Sequence, residues 1–173
     1  MPPEPITIHP KVVVPADVDI RGTVTIKTGT VLHPRVKLDG SLAPLVVGEN
    51  CILEEGVQLT SGANGLQVGD GNWLRVGCRI ASDRIGNCNV FEVGCHVPAH
   101  VRVSNFCVVG AGCDLQFWET TELLERTVVY GAEAAQRTWS GDGIGQQLAS
   151  HAKHLQYLRT TLPQHHKLRI FRS

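Results

Sequence analysis

Six cysteines and a set of histidines are the residues of this 173-residue chain whose types could do chemistry. The cysteines stand at Cys51, Cys78, Cys88, Cys95, Cys107 and Cys113. A structural zinc site needs closely paired thiolates or imidazoles, and the sequence has no C-x2-C pair and no matching histidine pair. Small, buried, reduced thiols are therefore expected. A general base beside a substrate hydroxyl or amine is the second possibility, with His33, His96 and His100 as candidates. No carboxylate is placed by spacing to orient any of them. A metal-bound hydratase would need three neutral imidazoles converging on one ion, with a fourth position open to water. His96 and His100 form only H-x3-H, and His33 is far away in sequence. His151 and His154 fall in a C-terminal helical stretch. His165-His166 follows it, and adjacent imidazoles point apart more often than together. No phosphate-binding glycine loop, Ser-His-Asp order or paired carboxylates occur. The sequence thus assigns no catalytic, cofactor-binding or metal-binding residue.

Charge narrows the partners. Sixteen basic residues balance sixteen acidic ones, which points to neither nucleic acid nor an anionic membrane surface. No run of about 18 apolar residues exists, so no membrane insertion is expected. The opening Met1–Pro5 has neither a basic nor an apolar signal segment. One domain in the cytoplasm is the expectation. Aromatics are 5 % of residues and there is one Met, which suits a core of stacked aliphatic side chains.

The elements that would position these residues follow from a repeat. Aliphatic residues recur every six at Ile8, Val14, Ile20, Ile26, Leu32 and Leu38, again at Val47, Leu53 and Leu59, and at Val68, Leu74 and Ile80. They resume at Ile85, Phe91, Val97, Val103, Val109 and Leu115. Four residues after each, a small or β-branched residue usually follows, including Val18, Val36, Val57, Ala63 and every cysteine except Cys88. A period of six fits neither an amphipathic helix nor simple strand alternation. It fits short strands joined by tight turns, three to a coil, wound into a triangular prism. The fold class is therefore all-β with a C-terminal α-helix: a left-handed parallel β-helix of about 6–7 coils. Coils should begin at Ile8, Ile26, Val47, Val68, Ile85 and Val103. The irregular stretches Asp39–Leu45, Thr60–Gln67 and Ala81–Arg84 all follow a coil's third repeat, which places every bulge at one corner.

Outward positions distinguish the faces. One face carries an apolar stripe, Val13, Val31, Ile52, Trp73, Val90 and Val108, and the next carries Asp19, Lys37, Gln58, Arg79, His96 and Asp114. A bare stripe about 24 Å long at the inter-strand spacing is rare on a soluble monomer. After residues 6–132 of β-helix and a linker at 133–143, helical spacing returns at Ile144, Leu148, Leu155, Leu158 and Leu162. This predicts a helix over 144–162, ended by Pro163 and followed by a tail over 163–173. About 17 residues of helix span about 26 Å, which matches the stripe. It should dock there antiparallel to the coil direction; exchange onto a second subunit is the alternative. Phe117 and Trp118, just beyond the last regular repeat, are candidate partner contacts or a plug over the core.

Such β-helices carry acyltransferases, γ-class carbonic anhydrases and pure scaffolds, so the fold alone assigns no function. Several segments, however, resemble the dynactin subunit 6 family. They are Asp19–Ile26, Thr30–Pro34, Asn89–Cys95, Cys107–Leu115, the exit Thr127–Ala132, and the tail His154–Leu158 with Leu162–Leu168. The resemblance implies a non-catalytic, cofactor-free subunit of the dynactin pointed-end complex, cytoplasmic and cytoskeletal. It also implies pairing with subunit 5, beside subunit 4 and the pointed-end actin-related protein, in support of dynein cargo attachment and filament-end organisation. A homotrimeric hexapeptide-repeat acyltransferase is the competing expectation.

Overall fold

Short strands stack in register, coil upon coil, with the six-residue aliphatics facing a single core. The computed structural model describes residues 6–119 and 121–171, so Met1–Pro5 and the last two residues of the tail lie outside it. On the first face Ile8, Ile26, Val47, Val68, Ile85, Val103 and Leu123 follow one another as parallel partners. On the second face Val13, Val31, Ile52, Trp73, Val90, Val108 and Val128 do the same. On the third the ladder runs Asp19, Lys37, Gln58, Arg79, His96, Asp114. The structure is a parallel β-helix of about six coils with part of a seventh. Strands Asp19–Ile26 and Lys37–Val47 run continuously around one corner and join the third and first faces into one sheet. Ile8 and Ile20, in the first coil, are half-buried; the other repeat aliphatics are buried.

The two tight corners repeatedly place a residue in the left-handed region. At the first-to-second corner these are Lys11, Gly29, Asn50, Gly71, Cys88, Phe106 and Arg126; at the next, from the second coil on, they are Arg35, Gly56, Gly77, Gly94 and Gly112. Glycine takes this conformation without Cβ strain, and the second corner uses it almost throughout.

A polar ladder inside the first corner went unread in the sequence. Four residues after Val68 and Ile85 stand Asn72 and Asn89, both buried. Asn72 Oδ1 accepts from the Asn89 amide at 2.9 Å, and Asn89 Oδ1 accepts from the Cys107 amide at 2.7 Å. Their side-chain amides donate to Gly86 O and Ser104 O. Thr30 does the same work lower down, donating to Gly48 O and accepting from Cys51 N–H. Burying these groups is tolerable because each is hydrogen-bonded across coils.

All three irregular stretches lie at the third-to-first corner, and their ends return to the core. Leu45 and Leu66 are buried and stack as partners with Val24. Ala63 is exposed, contrary to the inward place the period gives it. A tight reversal with a Gly62–Gly65 bridge lifts it outward, and Leu66 fills the slot.

The linker assigned to 133–143 contains a strand, Ala135–Thr138, which turns back antiparallel on Thr127–Tyr130 and closes the top of the second face. Helix α1 spans Ile144–His165, so it runs through Pro163 instead of ending at Leu162. Proline has no N–H to give, and so near the C-terminus it forfeits one bond while His166 N–H still reaches Leu162 O at 3.0 Å. The tail then pairs with coil one: Ala16 N–H donates to Lys167 O, Arg169 N–H donates to Val14 O, and Pro15 bridges Leu168 antiparallel.

Candidate functional site

The stripe on the second face is only partly covered. Val13, Val31 and Ile52 form one apolar cluster with Leu155, Leu158 and Leu162 of α1, and Trp73 packs at its edge. Val90 and Val108 are half-buried and lie outside this cluster, although the stripe places them under the helix. Leu148 is 45 % exposed, and a cavity of about 300 Å³ opens beneath it, bounded by Trp73, Cys88, Val90, His151 and His154. The reason lies in the helix's own sequence. Counting back along the seam from Leu155, the facing positions are His151 and Gln147, which are polar. His151 bonds to Asn50 O at 2.7 Å and Gln147 Nε2 donates to Cys88 O at 3.3 Å. These contacts draw the helix toward the corner and off the stripe. Arg159 holds the same corner lower down, through Gly29 O and Asn50 Oδ1.

Beside the stripe runs a second outward column, with the Arg75 guanidinium between Glu54 and Glu92 at 3.4 and 2.7 Å and stacked on the Trp73 ring at 4.9 Å. The third face is charged and exposed. There the structure corrects one expectation: a carboxylate does stand beside a candidate base, for His96 Nδ1 meets Asp114 Oδ1 at 2.9 Å. The two are one coil apart, a proximity that only the stacking register creates. The Gln116 backbone N–H, and after it His96, holds the Asp114 carboxyl below the usual range. His100 bonds instead to Trp118 O, and His33 lies on the second face, so the three candidate imidazoles do not converge. Among the described residues no three His, Cys, Asp or Glu side chains gather as metal ligands.

Five of the six thiols are poorly disposed to react. Burial pushes Cys51 up to about 12 and also raises Cys88, Cys107 and Cys113. Cys78 is raised by its hydrogen bond with Cys95 and by burial. A protonated thiol is neither nucleophile nor metal ligand.

Phe117 and Trp118 part ways. Trp118 is half-buried and packs on the core, with Ala134, at the end of the prism. Phe117 is 89 % exposed on the same excursion, and Leu124 and Tyr130 are exposed elsewhere on the last coil. The rungs beneath them, Asp114 and Glu122–Leu123, carry no further strand among the described residues. No helix among the described residues is long and apolar enough to cross a membrane.

Stacked aliphatic rungs, a glycine-rich corner, a strap helix and one open end define a protein of the hexapeptide-repeat β-helix class. A hexapeptide transferase family protein from Anaplasma phagocytophilum shares this fold with a TM-score of 0.79 at 16 % identity, over 90 % of this chain and 92 % of that one. No family model matches the chain. Dynactin subunit 6 of Danio rerio is 30 % identical over 170 residues, covering 91 % of this chain and 84 % of that protein. Dynactin subunit 6 of Dictyostelium discoideum is 30 % identical over 169 residues, covering 95 % and 88 %. The chain belongs to the dynactin subunit 6 family.

Proposed function

We propose that this chain is a non-catalytic structural and adaptor subunit of the dynactin pointed-end complex, supporting dynein cargo attachment and filament-end organisation. In this reading it is cytoplasmic and cytoskeletal, pairs with dynactin subunit 5, and lies beside subunit 4 and the pointed-end actin-related protein. The observation that carries the reading is the open end of the prism. Unpaired rungs present backbone donors and acceptors to another chain, and the last coil also leaves Phe117, Leu124 and Tyr130 exposed. Natural proteins cover such edges, and at the opposite end the second face is closed by the chain's own Lys167–Arg169. Co-expression with dynactin subunit 5, followed by co-purification and sedimentation, tests this directly. A one-to-one pair that Phe117→Asp abolishes is expected; no pair, with this chain sedimenting as a homotrimer, overturns it.

The His96–Asp114 contact favours a second reading, a homotrimeric hexapeptide-repeat acyltransferase. The cavity beside that pair holds about 190 Å³, bounded by Thr60, Arg79 and His96. That is below the range of about 300–1,000 Å³ in which small-molecule sites fall. Acetyl-coenzyme A consumption lost in His96→Ala would establish this reading, and its absence in the wild type would remove it.

A further inference from the structure

Imidazoles gather in the seam between α1 and the prism. His33 lies on the second face next to the stripe, and its Nδ1 is buried with no hydrogen-bond partner. His151 Nε2 faces Asn50 O at 2.7 Å, so that nitrogen carries a proton and donates. His154 stands edge-on to Trp73, with centroids 5.2 Å apart, and the Trp73 ring already bears the Arg75 guanidinium on its face. His166, at the foot of the helix, is near enough to His33 to repel a charge there.

The surrounding charges do little to welcome more protons. His33 is opposed by His154 and His166 and favoured by Glu55, which is already paired with Arg35. Glu54, on the rung next to His33, is engaged by Arg75. His151 is opposed by His154 and by Arg159, and Asp70 lines the adjoining cavity. Burial is the largest influence on both His33 and His151 and holds each below the ordinary imidazole value.

The helix is also built to lift. Its N-terminal half stands over the cavity with Leu148 half out of the seam. Its N-cap is Gly143 in the left-handed region, with no side-chain cap and no acidic residue in the first turn. Gly141 shares that conformation two residues earlier, so the backbone at the helix entry carries no Cβ at either position.

We propose that α1 and its tail form a strap that acidification releases, docked on the second face while His33 and His151 are neutral and lifted when they take up protons. The sign follows from the seam. A histidine held below its ordinary value favours the docked form above that value, and the preference is lost as pH falls from about 6.5 through the docked-state value. Release bares Val13, Val31 and Ile52 together with the Val14–Ala16 edge that the tail covers.

Hydrogen exchange followed by mass spectrometry on the full chain tests this, at pH 7.5 and 5.5 with intrinsic rates divided out. Amides of Leu155–Leu162 are expected to exchange about tenfold faster or more at pH 5.5, while those of Leu53, Leu74 and Phe91 keep their protection. In the double variant His33→Gln/His151→Gln, where the second glutamine can still donate to Asn50 O, most of the acceleration should vanish. Equal helix protection at both pH values overturns the proposal. So does undiminished acceleration in the double variant, or loss of core protection together with the helix.

Discussion

Arg159 donates two hydrogen bonds, of 3.1 and 2.7 Å, to the carbonyl of Gly29, and a third of 2.7 Å to Asn50 Oδ1. One guanidinium thereby ties the helix to two successive coils of the prism corner. Gly29 is required there twice over. Its φ is 78°, and a Cβ would run into both Asn50 Oδ1 and the Arg159 guanidinium.

Removing the tie should loosen the strap without unfolding the prism. Hydrogen bonds to charged groups contribute about 1.5–3 kcal/mol, and partial solvent exposure reduces this, so Arg159→Met should cost about 1–2 kcal/mol. Limited proteolysis within residues 144–171 is expected to quicken, with the melting of the β-helix itself little changed. Resistance equal to the wild type would mean that the apolar seam alone holds the helix.

The stacking of the prism was legible in the sequence because Ile, Leu and Val at a spacing of six state the inward direction directly. Where the structure departs from that reading, a second interaction competes with apolar periodicity. His151 and Gln147 sit at seam positions of α1, yet their bonds are to the carbonyls of Asn50 and Cys88, which sequence spacing cannot reveal. His96 and Asp114 meet only because one coil holds 18 residues there. Asn72 and Asn89 occupy the small inward position in perfect register and could have been found, had a polar residue been admitted to that slot.

Those asparagines support the second prediction. Asn89→Leu leaves the Cys107 N–H and the Ser104 carbonyl buried without partners, each at a cost of about 1–3 kcal/mol. Urea unfolding should show a loss of about 2–5 kcal/mol, and Asn89→Asp should also be costly, since it removes the donor to Ser104 O. A loss under about 0.5 kcal/mol would mean that the ladder contributes little beyond its volume.

Leu74 tests the aliphatic rungs. It is fully buried between Leu53 and Phe91 on the second face. Leu74→Ala should cost about 2–5 kcal/mol through the cavity it leaves. Leu74→Asp should abolish folding, because an unpaired buried carboxylate costs several kcal/mol against a total of about 5–15. Circular dichroism during thermal melting reads both.

Acid should weaken the first-face corner through Asp83. Arg102 donates to both its carboxylate oxygens at 2.9 Å and holds the carboxyl below its ordinary value. A carboxyl so depressed adds stability above its unfolded value of about 3.9, and that share is lost as pH falls through the folded value. Asp83→Asn should flatten the corresponding part of the stability profile below pH 4 and leave the profile above pH 6 parallel to the wild type.

Neighbours in sequence separate the open end from the plug beside it. Phe117 is 89 % exposed and packs on nothing in the core, whereas Trp118 packs against it. Phe117→Asp should therefore leave the melting temperature within about 2 °C, since surface changes usually fall within ±0.5 kcal/mol. It should nonetheless remove co-purification with dynactin subunit 5. Trp118→Ala should lower stability, by up to about 3 kcal/mol given that the indole is only half-buried. It should weaken pairing only as far as the end of the prism frays. Were Phe117→Asp to melt early, the phenyl ring would be a plug like its neighbour. Were it stable and still able to pair, the partner surface would lie elsewhere, and the half-covered Val90–Val108 stretch of the second face would be the place to mutate next.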